Sequence, residues 1–104
     1  MRMYMPSQQT RKARYHILPY TYNRAKQLGV KVELSDKPKY KLRVTTKSGK
    51  VIYCGARGYN DYPTYIKTKG MPYARTRRRL YRIRHKKDRN VPGTPGFYAD
   101  KLLW

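Results

Sequence analysis

The sequence predicts a small α+β fold, in which a β-hairpin or small sheet packs on one basic helix between an extended N-terminal arm and an extended C-terminal tail. Apolar and polar residues alternate across residues 40–54 on both sides of a turn, as they do in half-buried strands. A basic segment with helical spacing follows Pro72. A chain of 104 residues with 38% hydrophobic content has room for one modest core.

Residues 1–38 are predicted to form a basic, tyrosine-rich arm. No Asp or Glu occurs before Glu33. Within the arm, residues 21–28 are predicted to form a short helix that ends at Gly29, because glycine readily adopts the left-handed conformation at a helix end. Residues 30–34 alternate as in a half-buried strand. The folded domain is therefore predicted to span residues 39–104.

The hairpin prediction depends on two alternating segments joined by a short turn. Tyr40, Leu42 and Val44 share one face of the first segment, and residues 51–54 begin the second. Residues 47–49 supply a turn that ends in glycine, where a positive φ is needed. After the hairpin, residues 59–63 are predicted to form a turn in which the Asp61 carboxylate accepts hydrogen bonds from nearby backbone amides.

A basic helix is predicted from Pro72 to about residue 87, because proline suits the first turn of a helix. Its less polar residues recur every three or four positions, which predicts a narrow stripe against the hairpin. The stripe consists of Tyr73, Thr76, Leu80 and Ile83. Prolines and glycines then end the helix, and the apolar segment 97–104 is predicted to be an extended tail that packs on its own sheet or on a neighbour.

Charge is the most informative property of the chain. Its 26 Lys and Arg residues against 5 Asp and Glu residues give a formal net charge of +21. So large an excess repels itself, which predicts a polyanionic partner: nucleic-acid phosphates, an acidic protein surface or an anionic membrane face. The cations are densest around the predicted helix. The predicted polyanion-binding residues are Arg75, Arg77, Arg78, Arg79, Arg82, Arg84, Lys86, Lys87 and Arg89.

The aromatic residues predict contacts with a partner. Most of them are tyrosines, 12 in all, and tyrosine suits interfaces because its hydroxyl can stay in water while the ring is covered. Tyrosines interleaved with arginines suit either stacking on unpaired bases or pockets on a protein. The predicted partner-docking residues are Tyr15, Tyr20, Tyr22, Phe97, Tyr98, Leu102, Leu103 and Trp104.

Catalysis, cofactors and metals are not expected. His16 and His85 are far apart in the sequence, and the acids are scattered. Cys54 is the only cysteine, so no internal disulfide is possible, and it is expected to be a small buried residue. No apolar run approaches the roughly 20 residues that span a bilayer. No zinc-finger, RNA-recognition or helix-turn-helix pattern indicates sequence-specific base reading.

Short motifs in a fixed order resemble a family of short basic proteins encoded by nucleocytoplasmic large DNA viruses of algae and amoebae. The order is hairpin, Gly-Tyr-x-Asp-Tyr turn, basic helix with Tyr-x-x-Arg-His, and Leu-Leu-Trp tail. The residues are Gly49, Lys50, Val51, Ile52, Tyr53, Cys54, Gly55, Gly58, Tyr59, Asp61, Tyr62, Tyr81, Arg84, His85, Thr94, Gly96, Phe97, Leu102, Leu103 and Trp104. The resemblance implies a viral origin but supplies no catalytic residue, because the family has no assigned biochemical function.

Together, charge and resemblance predict a non-enzymatic structural protein of a large DNA virus particle. We expect a minor capsid or cement protein that bridges the acidic surfaces of capsid or other virion proteins. Its expected location is the virion. Its expected site of synthesis is the host cytoplasm or virus factory, and the nucleus is a further expected location. The alternative is a nucleic-acid-binding protein that coats or condenses viral DNA without sequence specificity. A ribosome-associated protein is a third reading, and no small-molecule substrate is expected.

Overall fold

A computed structural model of the protein describes residues 15–104. The part of the predicted arm before Tyr15 lies outside the described residues. Within them, the elements in chain order are α1 (Pro19–Leu28), β1 (Lys31–Leu34), β2 (Tyr40–Thr45), β3 (Val51–Ala56), α2 (Tyr62–Lys69), α3 (Met71–Arg84) and α4 (Pro95–Leu103). Helices packed with a sheet confirm the predicted α+β class.

The sheet is a three-stranded antiparallel meander in the order β1-β2-β3. Its register pairs Val32 with Val44 and Leu42 with Cys54, and all four side chains are buried on one face. The predicted hairpin is confirmed, and Gly49 adopts a positive φ in its turn. Because side chains alternate across a strand, this register sends the apolar residues to the core and the polar ones to the opposite face.

The N-terminal helix and strand form where they were predicted, but they are part of the folded unit. Helix α1 ends at Gly29, whose φ of 74° is the left-handed conformation expected there. Strand β1 pairs with β2, and both Ala25 and Val32 are buried in the common core. The boundary predicted after residue 38 therefore does not separate an arm from a domain.

The prediction of an extended C-terminal tail is wrong, because Pro95–Leu103 forms helix α4. The Thr94 hydroxyl accepts a hydrogen bond from the Phe97 N–H at 3.2 Å, and Pro95 occupies the first turn. A threonine cap followed by proline is a favourable helix start, since proline lacks the N–H that would otherwise stay unpaired. The prolines and glycines that were read as breakers therefore end one helix and begin another.

Helix α4 lies at the centre of the fold. Leu102 and Leu103 are fully buried, and α4 packs on β3 at Gly55. A side chain could not fit at Gly55, because a Cβ there would lie 2.6 Å from Leu103 Cδ1 and φ is +81°. Helix α1 packs on the other side: the Thr21 hydroxyl donates to the Leu102 carbonyl at 2.9 Å, and Arg24 Nε donates to the Lys101 carbonyl at 2.7 Å. These bonds satisfy carbonyls that a helix end leaves free.

Helix α2 was not predicted. The Asp61 carboxylate accepts a hydrogen bond from the Thr64 N–H at 3.1 Å, which confirms its predicted local role, but it caps a helix instead of closing a simple turn. Gly70 separates α2 from α3, and the two helices pack against each other. The basic helix α3 ends at Arg84, three residues before the predicted end, and turns follow.

The predicted apolar stripe of the basic helix does not face the hairpin. Leu80 is 41% exposed and Ile83 64% exposed, whereas Ala74 and Tyr81 are buried. Helix α4 already covers β3, and α3 packs on α2 instead. The packed face of α3 is therefore rotated away from the stripe that its hydrophobic spacing indicated, because neighbours in the fold decide which face is covered.

An ion pair is buried beside the core. Lys41 Nζ lies 3.0 Å from Asp61 Oδ2, and their side chains are 4% and 0% exposed. The Tyr15 hydroxyl donates to the same oxygen at 2.6 Å. Burial lowers the pKa of Lys41, and the adjacent Asp61 carboxylate acts in the opposite direction, so the pairing offsets part of the cost of burying the ammonium.

Replacing Asp61 with Asn should destabilise the protein by about 3 to 5 kcal/mol, because it leaves the buried Lys41 ammonium without a counter-charge. Asn can still cap α2 through its oxygen, so the change is confined to the Oδ2 position, where both the charge and the acceptor for Lys41 and Tyr15 are lost. Glu33→Gln is the matched control: the Glu33–Arg43 pair at 2.7 Å is more than one third exposed on both sides, and its loss should cost less than about 1 kcal/mol. Urea unfolding measures both, and equal costs would contradict this account.

Stability should fall as the pH rises from about 9 to about 12. Burial raises the pKa of Cys54 from 9.0 to about 12 and that of Tyr81 from 10.0 to about 12. In this window the unfolded chain loses these protons while the folded chain keeps them, so the unfolded state is favoured. The lowered pKa of Lys41 acts in the opposite direction and offsets part of the loss.

The check is the urea midpoint of the protein and of Cys54→Ala across that pH range. The variant should lose less stability than the parent between the two ends of the window, because one of the groups with a raised pKa is gone. A midpoint that is constant or rises with pH would contradict the prediction.

Candidate functional site

The basic helix α3 presents a cluster of cations along one flank. Arg75, Arg78, Arg79 and Arg82 recur every three or four residues, the spacing that places side chains together on a helix, and Lys86 continues the row. With Ile83 they line a shallow surface depression of about 560 Å³, here called the cationic depression. No acidic residue lines it. Five of the nine predicted polyanion-binding residues are thus brought together.

Two of the nine cations are held by a buried acid that the sequence did not single out. Asp100 of α4 is 1% exposed, with Arg89 Nε at 3.0 Å and Arg82 Nε at 3.7 Å. The pairing ties the chain after α3 to α4, so Arg89 has a structural role inside the molecule. The one signal in the sequence is that Asp100 is the sole acid among the apolar residues of the C-terminal segment.

Two further cations lie over aromatic rings of α2. The guanidinium carbon of Arg78 lies 4.1 Å from the Tyr62 ring centroid, and that of Arg77 lies 5.6 Å from the Tyr65 centroid. Such contacts are attractive and fix the position of the guanidinium plane. Helix α2 therefore helps to orient the cations of α3.

The remaining predicted cations are exposed. Arg75, Arg79, Arg84, Lys86 and Lys87 all project into solvent. Among the described residues, no carboxylate lies within 4.0 Å of any of these five side chains or of Arg78. This part of the surface therefore combines high positive charge with very little internal neutralisation.

A second concavity lies on the other side of α3, between the sheet, α3 and α4. It has a volume of about 630 Å³ and is here called the aromatic cleft. Buried Cys54 and Leu103 contribute to its wall. Four cations line it: Lys39, Arg77, Arg84 and Lys41, the last of which is already paired with Asp61.

Three rings of the aromatic cleft form a continuous stack. Trp104 lies parallel to Tyr81 at 4.4 Å between centroids with an interplanar angle of 7°. His85 stacks on Tyr81 at 4.3 Å and 27°. Asp88 Oδ1 lies 3.5 Å from His85 Nδ1, so one of the scattered acids lies beside this histidine. Helical spacing brings Tyr81 and His85 together, but only the tertiary fold adds Trp104.

Most of the predicted docking residues lie inside the protein. Leu102, Leu103 and Trp104 are buried, as is Tyr98, and Phe97 packs against the same core. The Tyr15 hydroxyl donates a hydrogen bond to Asp61, and the Tyr20 ring packs edge-on against the Tyr62 ring. Of the eight predicted docking residues, Tyr22 alone has about half of its surface exposed, at 51%. The C-terminal segment therefore fulfils the expectation that it packs on its own sheet, and it is not a free docking tail.

The exposed face of α3 carries apolar side chains instead. Tyr73, Leu80 and Ile83 are all exposed, and we call them the apolar strip. The cationic depression borders it on one side, and Arg77 and Arg84 lie on the other. Exposed large apolar side chains beside charges are typical of surfaces that contact another molecule.

The described residues contain no cluster of His, Cys, Asp and Glu suited to holding a metal ion. Cys54 is buried, as predicted, and its raised pKa keeps the thiol protonated at neutral pH. Among residues 15–104, no helix has the length and apolar character needed to cross a bilayer.

Comparison with known proteins gives no match: no protein-family model, no curated protein and no solved structure is similar to this chain. The resemblance to the viral family therefore remains a prediction from the sequence motifs.

Leu103→Ala should destabilise the protein by about 2 to 5 kcal/mol, because the side chain is 1% exposed and its loss leaves a cavity between α4 and β3. Leu80→Ala is the matched control in the apolar strip and should change stability by less than about 1 kcal/mol. Urea unfolding of both variants is the measurement. A small effect at Leu103 would show that the C-terminal segment does not build the core.

Proposed function

We propose that this protein binds nucleic acid without sequence specificity, through the phosphate groups, with the cationic depression as the contact surface. The observation that carries the proposal is the row Arg75, Arg78, Arg79, Arg82 and Lys86 on one flank of α3, lined by no acid. Arginine suits this role because its planar fork can donate two hydrogen bonds to one phosphate.

The charge balance supports a polyanion as the ligand. With five acids in the chain, two of them buried at Asp61 and Asp100, little negative charge remains to offset the surface cations. Bringing phosphates to the depression relieves the repulsion among its side chains and releases the counterions of the nucleic acid. Binding by this surface should therefore weaken steeply as the salt concentration rises.

The surface of α3 favours phosphate contact over base reading. Leu80 and Ile83 are exposed on the helix and cannot hydrogen-bond to base edges, and the cations of the depression lie beside them. Asn and Gln, which pair with adenine in the major groove, do not occur on α3. Its arginines can pair with guanine as well as with phosphate, but no motif in the chain indicates sequence-specific reading. The proposal is accordingly a coating or condensing role in which phosphates supply the affinity.

Changing Arg75, Arg79 and Lys86 together to Gln should weaken binding to a short fluorescein-labelled duplex and flatten its salt dependence. Each lost phosphate contact removes about 0.9 from the slope of log K against log salt, so the slope should fall by about 2 to 3. Fluorescence anisotropy over a series of salt concentrations is the measurement.

The matched control changes Lys26, Lys47 and Lys50 to Gln, which removes the same charge from exposed positions on α1 and the β2–β3 turn. Its slope should change by less than about 1. Equal slopes for the two triple variants would mean that only net charge matters and would refute the depression as a site.

A second candidate is a structural protein of a large DNA virus particle, a minor capsid or cement protein. The apolar strip favours it, because Tyr73, Leu80 and Ile83 with cations on both sides would suit an acidic protein surface that carries apolar side chains of its own. The motif resemblance to viral proteins supports the same setting. The docking surface is then the strip of α3, since the C-terminal residues are buried.

Stepwise disruption of purified particles with salt and detergent, followed by mass spectrometry of shell and core, would test this candidate. A docked capsid protein should stay with the shell at high salt, and Leu80→Ser with Ile83→Ser should release it. Release together with the genome as salt rises would support nucleic-acid binding instead, and absence from particles would exclude a virion role.

A further inference from the structure

The aromatic cleft is not used by phosphate binding at the cationic depression, yet it has the properties of a ligand site. Its volume of about 630 Å³ lies in the range of small-molecule sites, and its wall includes the buried side chains of Cys54 and Leu103. Tyr59 is 75% exposed and lines the same cleft. An apolar wall with an exposed aromatic residue favours a ligand that carries a ring.

The stack of rings in the cleft ends at His85. Tyr81 has Trp104 on one face and His85 on the other, so neither of its faces is free. His85 is stacked by Tyr81 on one side, and its side chain is 35% exposed. A planar ring from a ligand can therefore extend the series by stacking on the remaining face of His85, the kind of contact by which single-strand binders hold unpaired bases.

The cleft also carries positive charge, which suits a phosphate. Arg77 and Arg84 line it from the same flank of α3, and Lys39 lines it from the sheet side. Among residues 15–104, Arg77 Nε is buried and meets no hydrogen-bond acceptor, which is costly for a charged group. Asp88, the acid that lines the cleft, is next to His85.

We propose that the aromatic cleft binds one unpaired nucleotide, with its base stacked on His85 and its phosphate held by Arg77 and Arg84. The inference rests on the proposed nucleic-acid function and adds a preference for single strands. An uncharged aromatic ligand would leave the two guanidinium groups without acceptors, and a simple inorganic anion would leave the ring stack unused. A nucleotide uses both.

The first measurement compares the full-length protein on a single-stranded oligodeoxynucleotide and on a duplex with the same number of phosphates, at equal salt. The single strand should bind more tightly, since paired bases cannot enter the cleft. Trp104 is the only tryptophan of the chain, so its fluorescence reports on the stack and should change with the single strand but not with the duplex.

His85→Ala should reduce affinity for the single strand by about 5- to 100-fold, the range expected for loss of one stacked base, and leave duplex affinity unchanged. His16→Ala is the matched control, because His16 is exposed and does not line the cleft. His85→Phe keeps a planar ring and should restore most of the affinity. If His85→Ala does not fold, Arg84→Gln provides the test, because Arg84 is exposed. Its affinity for the single strand should likewise fall, while its affinity for the duplex should stay unchanged.

Free adenosine monophosphate distinguishes the two sources of the ligand. Displacement of the single strand by the mononucleotide would assign the site to a nucleotide recognised on its own, whereas no displacement together with the His85→Ala loss would assign it to a nucleotide within a strand. Unchanged single-strand affinity in both His85→Ala and Arg84→Gln would overturn the proposal.

Failure of the two proposals can be told apart. If the depression variant loses duplex binding while the cleft variants behave as the parent, phosphate binding stands and the nucleotide site falls. If the protein binds neither nucleic acid but adenosine monophosphate still changes Trp104 fluorescence in a His85-dependent manner, the cleft stands and the proposed function falls.

Discussion

The burial of the Leu102-Leu103-Trp104 segment is the contact on which the rest of the structure depends. Leu103 packs against Gly55 of β3, the Leu102 carbonyl accepts the Thr21 hydroxyl of α1, and the Trp104 ring lies against Tyr81 of α3. Sheet, first helix and basic helix are thus joined through one short segment. In a chain with a modest apolar fraction, placing its densest apolar residues at this junction buries the most area against the most partners.

This arrangement explains how a strongly basic helix is held without being covered. Helix α3 contacts its neighbours through Ala74 and Tyr81, and α4 occupies the sheet face that α3 would otherwise take. Both flanks and the outer face of α3 therefore stay accessible. Asp100, buried between Arg82 and Arg89, neutralises cations where the chain leaves the helix, and Arg75, Arg79, Arg84, Lys86 and Lys87 face solvent.

Local sequence signals predicted much of the fold. The alternation in β2 and β3, the glycine after α1 and the bond from a nearby backbone amide to Asp61 are short-range effects, and each is present in the structure. The tail was wrongly predicted because proline and glycine were read as breakers without weighing Thr94 as a cap. The predicted stripe on α3 does not face the hairpin, because periodicity identifies the apolar positions of a helix but not which neighbouring element packs on them.

The sequence by itself determined the α+β class, the hairpin, the net charge and the run of cations that predicts a polyanionic partner. These features follow from composition and from contacts between residues close together in the chain. The tertiary structure alone decided which cations are engaged internally, that Trp104, Tyr81 and His85 form one stack, and that the C-terminal residues are core and not a docking tail. These features join residues far apart in the chain, and their geometry depends on how helices and sheet pack together.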